Sequence, residues 1–162
     1  MAGKNLLFVC LGNICRSPAA EAVMTGKIEK SGLASKIKCD SAGTIGFHSG
    51  ERADGRMRRH ALKRGYPVTS ISRRINPVRD FINFDMVIAM DDQNIEDLFG
   101  LAPTDLDRKK IFRMTDFRQQ LDYDLVPDPY YGGDDGFELV LDILEDACDG
   151  LLDYLQKLET RL

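Results

Sequence analysis

Histidine and cysteine, the usual ligands of metal centres, are scarce here: two histidines and four cysteines in 162 residues. The cysteines are Cys10, Cys15, Cys39 and Cys148, and none forms a Cys-x2-Cys pair. That excludes the usual structural zinc spacings. No apolar run approaches the roughly eighteen residues that a membrane span requires. The run near the start, Leu6–Leu11, is too short for the core of a signal peptide, and no small-residue cleavage site follows it. The whole chain is therefore expected to be the mature protein, cytoplasmic, with its thiols mostly reduced. A Pro/Gly/Ser-rich linker is missing, as are internal repeats and low-complexity tracts, so residues 1–162 are expected to form one domain. The chain has no Gly-x4-Gly-Lys-Ser/Thr loop for a nucleoside triphosphate. Gly43, Gly46 and Gly50 do not keep the dinucleotide spacing either, and read as loop flexibility.

What is present is ordinary globular material, 43% hydrophobic and 30% charged, with a net charge of −4. The charge is unevenly placed. Residues 1–75 carry 14 basic and 5 acidic side chains, a net +9, and residues 76–162 carry 8 basic and 21 acidic ones, a net −13. Without a linker between them, the halves are read as two parts of one domain that attract each other. The basic run of Arg52, Arg56, Arg58, Arg59, Lys63 and Arg64 reads as a solvated helix face. No aromatic residues interleave with it, which argues against nucleic acid as a partner. A monomer is the default expectation.

Strand and helix patterns alternate. Leu6–Cys10 is a continuous apolar run, the mark of a strand buried on both faces. Ser17-Pro18 predicts a helix start, with Ser17 as cap, Pro18 at the first helical position and Glu21 in the first turn, running to about Gly32. Ile37–Ser41 predicts a second strand and residues 42–50 a loop. Asp54 can cap a helix that ends at Gly65. Met86–Met90 is a third buried strand, closed by Asp91-Asp92 and followed by a helix to about Phe99. Lys110–Met114 predicts a fourth strand. Val140, Ile143, Leu144, Ala147, Leu151, Leu155 and Leu158 recur at helical spacing, and Asp135 with Glu138 fits a capping box at the start of that helix. The alternation predicts an α/β fold, a parallel sheet with helices on both faces. Ligands of such folds bind beyond the carboxyl ends of the strands, where Cys10 and Asp91 fall.

The chemistry is concentrated in Cys10-Leu11-Gly12-Asn13-Ile14-Cys15-Arg16-Ser17-Pro18. A cysteine ends a buried strand, five residues follow, then an arginine and a helix N-terminus. Five residues suffice to wrap backbone N–H groups round one tetrahedral anion, and the helix end adds positive charge and free donors. Arg16 offers a planar fork for two phosphate oxygens. Gly12 and Asn13 tolerate the left-handed backbone such a loop demands. Cys10 would feel all of these positive ends, which favours its thiolate, and a thiolate facing a phosphoryl group is a nucleophile in line. Ser17 is close enough to donate its hydroxyl to the sulfur. Cys10-x5-Arg16 alone would be a weak signal; the strand–loop–helix setting makes it a strong one.

A phosphate ester also needs its leaving oxygen protonated. The candidate acid is Asp128, held between Pro127 and Pro129. An Asp-Pro turn with no chemistry fits the same residues; the cysteine loop, which needs an acid, favours the functional reading. Tyr130 and Tyr131, beside Gly132 and Gly133, would make an aromatic wall for a flat substrate.

Val9 through Pro18, together with Asp128-Pro129-Tyr130-Tyr131, resembles the low-molecular-weight protein tyrosine phosphatase family. Asp40-Ser41-Ala42-Gly43-Thr44, Ala89-Met90-Asp91 and Gly136-Phe137-Glu138 extend the resemblance over nearly the whole chain. It implies a flavodoxin-like, four-stranded parallel sheet and a two-step hydrolysis of phosphotyrosine and small aryl phosphates without metal or cofactor. Carried over, Cys10 is the nucleophile, Arg16 the phosphate clamp and Asp128 the general acid. Leu11, Gly12, Asn13, Ile14, Cys15 and Ser17 form the phosphate loop; Phe47, His48, Tyr130 and Tyr131 line the substrate crevice; Ser41 and Asp91 support the loop, with Ser41 as the partner of Asn13. Ser70 stands where many members carry a histidine that buttresses the asparagine. Partners would be phosphotyrosine proteins, with inorganic phosphate and other tetrahedral oxyanions as inhibitors. The resemblance also implies that Cys15 traps an oxidised Cys10 as a disulfide; by spacing alone it is equally a small apolar residue packing under the loop. Arsenate reductases on the same fold use a further cysteine pair, and here none lies between Cys39 and Cys148. Arginine phosphatases favour threonine where Leu11 stands and lack the tyrosine pair.

Overall fold

The computed structural model describes residues 3–130 and 132–160. Four strands, β1 (Lys4–Cys10), β2 (Ile37–Gly43), β3 (Met86–Ala89) and β4 (Ile111–Arg113), form one sheet in the order β2-β1-β3-β4. All three pairings are parallel. Six helices accompany them: α1 (Arg16–Lys30), α2 (Gly55–Lys63), α3 (Pro77–Asn83), α4 (Asp92–Leu101), α5 (Asp105–Arg108) and α6 (Asp134–Thr160). A 3₁₀ turn covers Met114–Phe117.

The central strands β1 and β3 are buried on both faces because the helices divide between the faces. On one side Leu6, Phe8, Met86 and Ile88 pack with Val23 and Met24 of α1 and with Val140, Leu144 and Leu151 of α6. On the other, Leu7, Val9, Val87 and Ala89 meet Phe81 of α3 and Ile95 and Leu98 of α4. The period-two alternation of strand side chains sends neighbours into opposite cores. Two layers of helix on a parallel sheet is the predicted α/β architecture. The chain leaves β1 towards β2 on one flank and crosses back to β3 on the other. The carboxyl ends of β1 and β3 therefore open at the point where the order reverses.

Several boundaries differ from expectation. Helix α1 begins at Arg16, with Cys15 in the cap position and no side-chain cap bond. Ser17 lies inside the first turn, because its hydroxyl is engaged by Cys10 and Asn13 instead. Strand β2 runs on to Gly43, two residues past Ser41. Helix α6 starts at Asp134, so Asp135 lies within its first turn and is not a cap. The carboxylate of Glu138 turns away from the helix start to His60 and Arg64. Helices α3 and α5 and the 3₁₀ turn were not anticipated: each is seven residues or fewer, too short to show a period. The predicted Asp54 cap holds, its carboxylate accepting from the Arg56 N–H.

The two charge blocks meet between α2 and α6. Arg64 reaches Glu138, Asp142 and Glu145, and His60 lies beside Asp134 and Glu138. Part of the basic run is thus turned inward, towards the acidic half of the same chain. Among the described residues, no helix is long and apolar enough to cross a membrane.

Candidate active site

The loop Leu11–Cys15 leaves the carboxyl end of β1 and closes on the N-terminus of α1. Among the described residues, the backbone N–H groups of Leu11 through Ser17 reach no acceptor within the protein. A run of uncommitted donors at a helix N-terminus is an anion cradle. Asn13 provides the necessary bend, with φ of 58°, the one non-glycine residue in the left-handed region among those described. Gly43 at the end of β2 lets the loop approach: a Cβ there would stand 2.7 Å from the Leu11 carbonyl and 2.9 Å from that of Ile45.

Cys10 Sγ lies 3.0 Å from Ser17 Oγ. Asn13 Nδ2 donates to that oxygen at 2.8 Å, while Asn13 Oδ1 accepts the Arg73 N–H at 3.0 Å. With Asn13 donating to it, the Ser17 hydroxyl has its own hydrogen to give, and the sulfur at 3.0 Å is nearer than its other acceptor, the Ala42 carbonyl at 3.5 Å. Ser72 Oγ donates to the Gly12 carbonyl at 3.0 Å and pins the loop from the same segment. The expected partner of Asn13, Ser41, is elsewhere: its hydroxyl donates to Glu21 Oε1 at 2.7 Å. Neither does Ser70 replace the family's histidine, since Asn13 is held by Ser17 and the Arg73 backbone.

Arg16 is buried, its side chain 4% exposed. Its Nη1 donates to Asp91 Oδ2 at 2.6 Å and to the Val126 carbonyl at 3.0 Å. Asp91 is itself fixed, because its other oxygen caps α4 at the Asn94 N–H. Burial works against the guanidinium charge, but Cys10 and Asp91 outweigh it and hold Arg16 above its ordinary pKa. Asp128 faces the same guanidinium: Oδ2 lies 3.8 Å from Arg16 Nη2, and Oδ1 accepts the Tyr130 N–H at 3.0 Å.

Cys10, Leu11, Gly12, Ile14, Cys15, Arg16, Phe47, His48, Asp128 and Tyr130 line one cavity of about 270 Å³. Phe47 is 81% exposed and meets His48 edge-on, with ring centroids 4.8 Å apart; His48 lies 6.2 Å from the Tyr130 ring. These rings wall a slot above a narrow polar floor. Ser17 and Asp91 bond to Cys10 and Arg16 from outside the lining, Asn13 bonds to Ser17, Ser41 turns to Glu21, and Tyr131 lies outside the described residues. Cys15 is buried beside the loop, and burial, reinforced by Asp54, pushes its thiol up. Arg73 escaped the sequence reading because it acts on Asn13 through its backbone, which leaves no side-chain signature. The Val126 carbonyl escaped for the same reason.

A cysteine under a ring of free N–H groups, a buried arginine and a carboxylate at the mouth is equipped for phosphoryl transfer to sulfur. Comparison with known proteins identifies the family. Residues 5–161 match the family model described as low molecular weight phosphotyrosine protein phosphatase. A putative low molecular weight protein-tyrosine-phosphatase of Synechocystis is 48% identical over 152 residues, covering 94% of this chain and 96% of that one. The low molecular weight phosphotyrosine protein phosphatase of Homo sapiens is 35% identical over 155 residues, covering 94% and 96%. A crystal structure of a protein tyrosine phosphatase from Entamoeba histolytica, with Hepes in its active site, superposes with a TM-score of 0.93 at 51% identity, covering 99% of this chain and 100% of that one. The chain belongs to the low molecular weight phosphotyrosine protein phosphatase family.

Proposed function

We propose that this phosphatase hydrolyses phosphotyrosine through a phosphocysteine on Cys10. The cradle of free N–H groups from Leu11 to Ser17, together with Arg16, supports binding of the phosphoryl oxygens above Cys10 Sγ. The thiolate attacks phosphorus, the S–P bond forms and the aryl P–O bond breaks. Asp128 delivers a proton to the departing phenolate from Oδ2, because Oδ1 is occupied by the Tyr130 N–H. In the second step the same carboxylate takes a proton from water as its oxygen attacks phosphorus, and the S–P electron pair returns to Cys10. Ser17, 3.0 Å from the sulfur, steadies the returning thiolate. Phe47 and Tyr130 grip the ring, and Leu11 adds an apolar contact. A serine phosphate is too short to reach the floor past these rings. On this reading the enzyme is a cytoplasmic monomer whose catalytic unit spans the chain, and free phosphate or vanadate competes for the cradle.

The test is Cys10→Ser. Hydrolysis should vanish while vanadate still binds, since serine keeps the shape but does not ionise there. Retention of a tenth of the activity, about 1.4 kcal/mol on the barrier, would sink the assignment. Phosphotyrosine peptides should be cleaved far better than phosphoserine or phosphoarginine peptides; equal efficiency would refute this picture of the slot. In Asp128→Ala, kcat/KM should fall roughly 10²- to 10⁴-fold for phenyl phosphate and much less for a nitrophenyl ester. An equal loss on both esters would mean that Asp128 only shapes its loop.

A further inference from the structure

Two side chains tie the loop that carries Asp128 to the cysteine loop: Arg16, which holds the Val126 carbonyl ahead of Asp128, and Arg56, which holds the Tyr130 carbonyl after it. Arg56 opens α2. Its Nε and Nη2 donate to the two oxygens of Asp54 at 3.1 and 3.0 Å. The same Nη2 donates to the Tyr130 carbonyl at 2.8 Å. The guanidinium also lies over two rings, 5.6 Å from the centre of Tyr130 and 4.8 Å from that of Phe137 at the start of α6. Asp54 in turn donates its N–H to the Ile14 carbonyl in the cysteine loop at 2.8 Å. Tyr130 continues the path, since its own N–H goes to Asp128 Oδ1 at 3.0 Å. A chain of contacts therefore runs from Ile14 through Asp54, Arg56 and Tyr130 to Asp128. It returns across the cavity, where Asp128 faces Arg16 at 3.8 Å.

We infer that Arg56 is a positioning residue for the general acid: a strut that sets the height of Asp128 above Cys10. The inference rests on the proposed role of Asp128. Arg56 touches neither the cavity nor substrate, so its effect is indirect. Ahead of Asp128 the loop is held at Val126, whose N–H goes to the Met90 carbonyl at 2.8 Å and whose carbonyl accepts from Arg16 at 3.0 Å. The Asp128 side chain is 45% exposed, and the turn after it is closed by one Gly132 N–H to Pro129 carbonyl bond at 2.9 Å. Arginine suits the task, because one planar fork satisfies a carboxylate and a carbonyl at once while its face lies on rings. Lysine carries the charge without the fork. A misplacement of about 1 Å at a reacting group can cost on the order of 10²-fold. A strut that leaves the loop in place part of the time should cost about tenfold when removed.

The experiment compares Arg56→Ala, Arg56→Lys, Asp128→Ala and the double variant on phenyl and nitrophenyl phosphate, reading kcat/KM. That constant includes departure of the leaving group but not hydrolysis of the phosphocysteine, which is common to both esters. Arg56→Ala should lose about tenfold on the phenyl ester and less than threefold on the nitrophenyl ester. Arg56→Lys should show the same asymmetry with a smaller loss. Added to Asp128→Ala, either change should cost little more, because the acid it positions is gone. Equal losses on the two esters, in Arg56→Ala or in Arg56→Lys, would overturn the inference, and so would a full additional loss in the double variant. If Arg56→Ala does not fold, Arg56→Lys decides by the same comparison. If Asp128→Ala alone shows no leaving-group dependence, the reading of Asp128 falls and the strut has no acid to position.

Discussion

Arg16 is a buried cation whose charge is supported by Cys10 and by the carboxylate of Asp91, so removing the charge of Asp91 tests the site's electrostatics directly. Asp91→Asn is the informative change. Asparagine caps helices about as well as aspartate, and its Oδ1 can still accept the Asn94 N–H, so α4 keeps its start. What is lost is the negative charge 2.6 Å from a guanidinium that is 4% exposed. Breaking such a pair by removing one partner costs roughly 3–5 kcal/mol when both ions are buried. Asp91 itself is 23% exposed, so water can partly replace it, and the lower figure of about 3 kcal/mol applies. For a chain of this size, each kcal/mol lowers Tm by roughly 2–4 °C, so Asp91→Asn should melt about 6–12 °C below the parent. Asp91→Ala also loses the cap and should melt lower still, by about 1 kcal/mol. A second readout separates charge from packing. A dianion in the cradle supplies the missing negative charge, so saturating phosphate should raise the Tm of Asp91→Asn by more than it raises that of the parent. Differential scanning calorimetry with and without phosphate reads both quantities. A melt within 2 °C of the parent, with an unchanged phosphate shift, would show that Arg16 does not depend on Asp91.

Burial raises the pKa of Glu21, Asp40 adds to the rise, and the Ser41 hydroxyl opposes it. The fold thus prefers the protonated acid, and stability from this group declines as pH rises through its folded value. Glu21→Gln, which still accepts from Ser41, should therefore gain Tm over the parent at pH 7 relative to pH 4; a gap that stays constant with pH would contradict the argument. Mild peroxide should inactivate the enzyme by oxidising the Cys10 thiolate to sulfenic acid, which the Cys15 thiol then attacks, releasing water and closing a disulfide that added thiol reopens. Cys39 and Cys148 should stay reduced, since Cys15 shares the cavity wall with Cys10 and neither of the other two lines it. Irreversible loss in Cys15→Ser is the expected result, and full thiol recovery of that variant, or peptide mapping that pairs Cys10 with Cys39 or Cys148, would exclude the mechanism.

The parts of this molecule that could be read from the chain are those whose signal is local. Leu6–Cys10 announces a buried strand because five apolar residues in a row have no other soluble home than a sheet covered on both faces. Arg16 and Asp91 were both found, though 75 positions apart, because each ends or follows a strand of a parallel sheet and such ends converge. Ser41 was misassigned for the complementary reason. It lies at the correct end of β2, but the direction of its hydroxyl depends on Glu21, which reaches it from the next layer. The buttress of Asn13 was invisible because it is a backbone N–H, and any residue but proline at position 73 could donate it; the arginine there is fixed instead by Asp40 and Asp80. Arg56 was counted as one charge in a basic run, whereas Asp54, Tyr130 and Phe137, which it touches, lie in the loop before it or in the other half of the chain. Sequence spacing reports which residues share an element. It is silent on which of them join two elements, and in this site the joints set the height of the acid over the nucleophile.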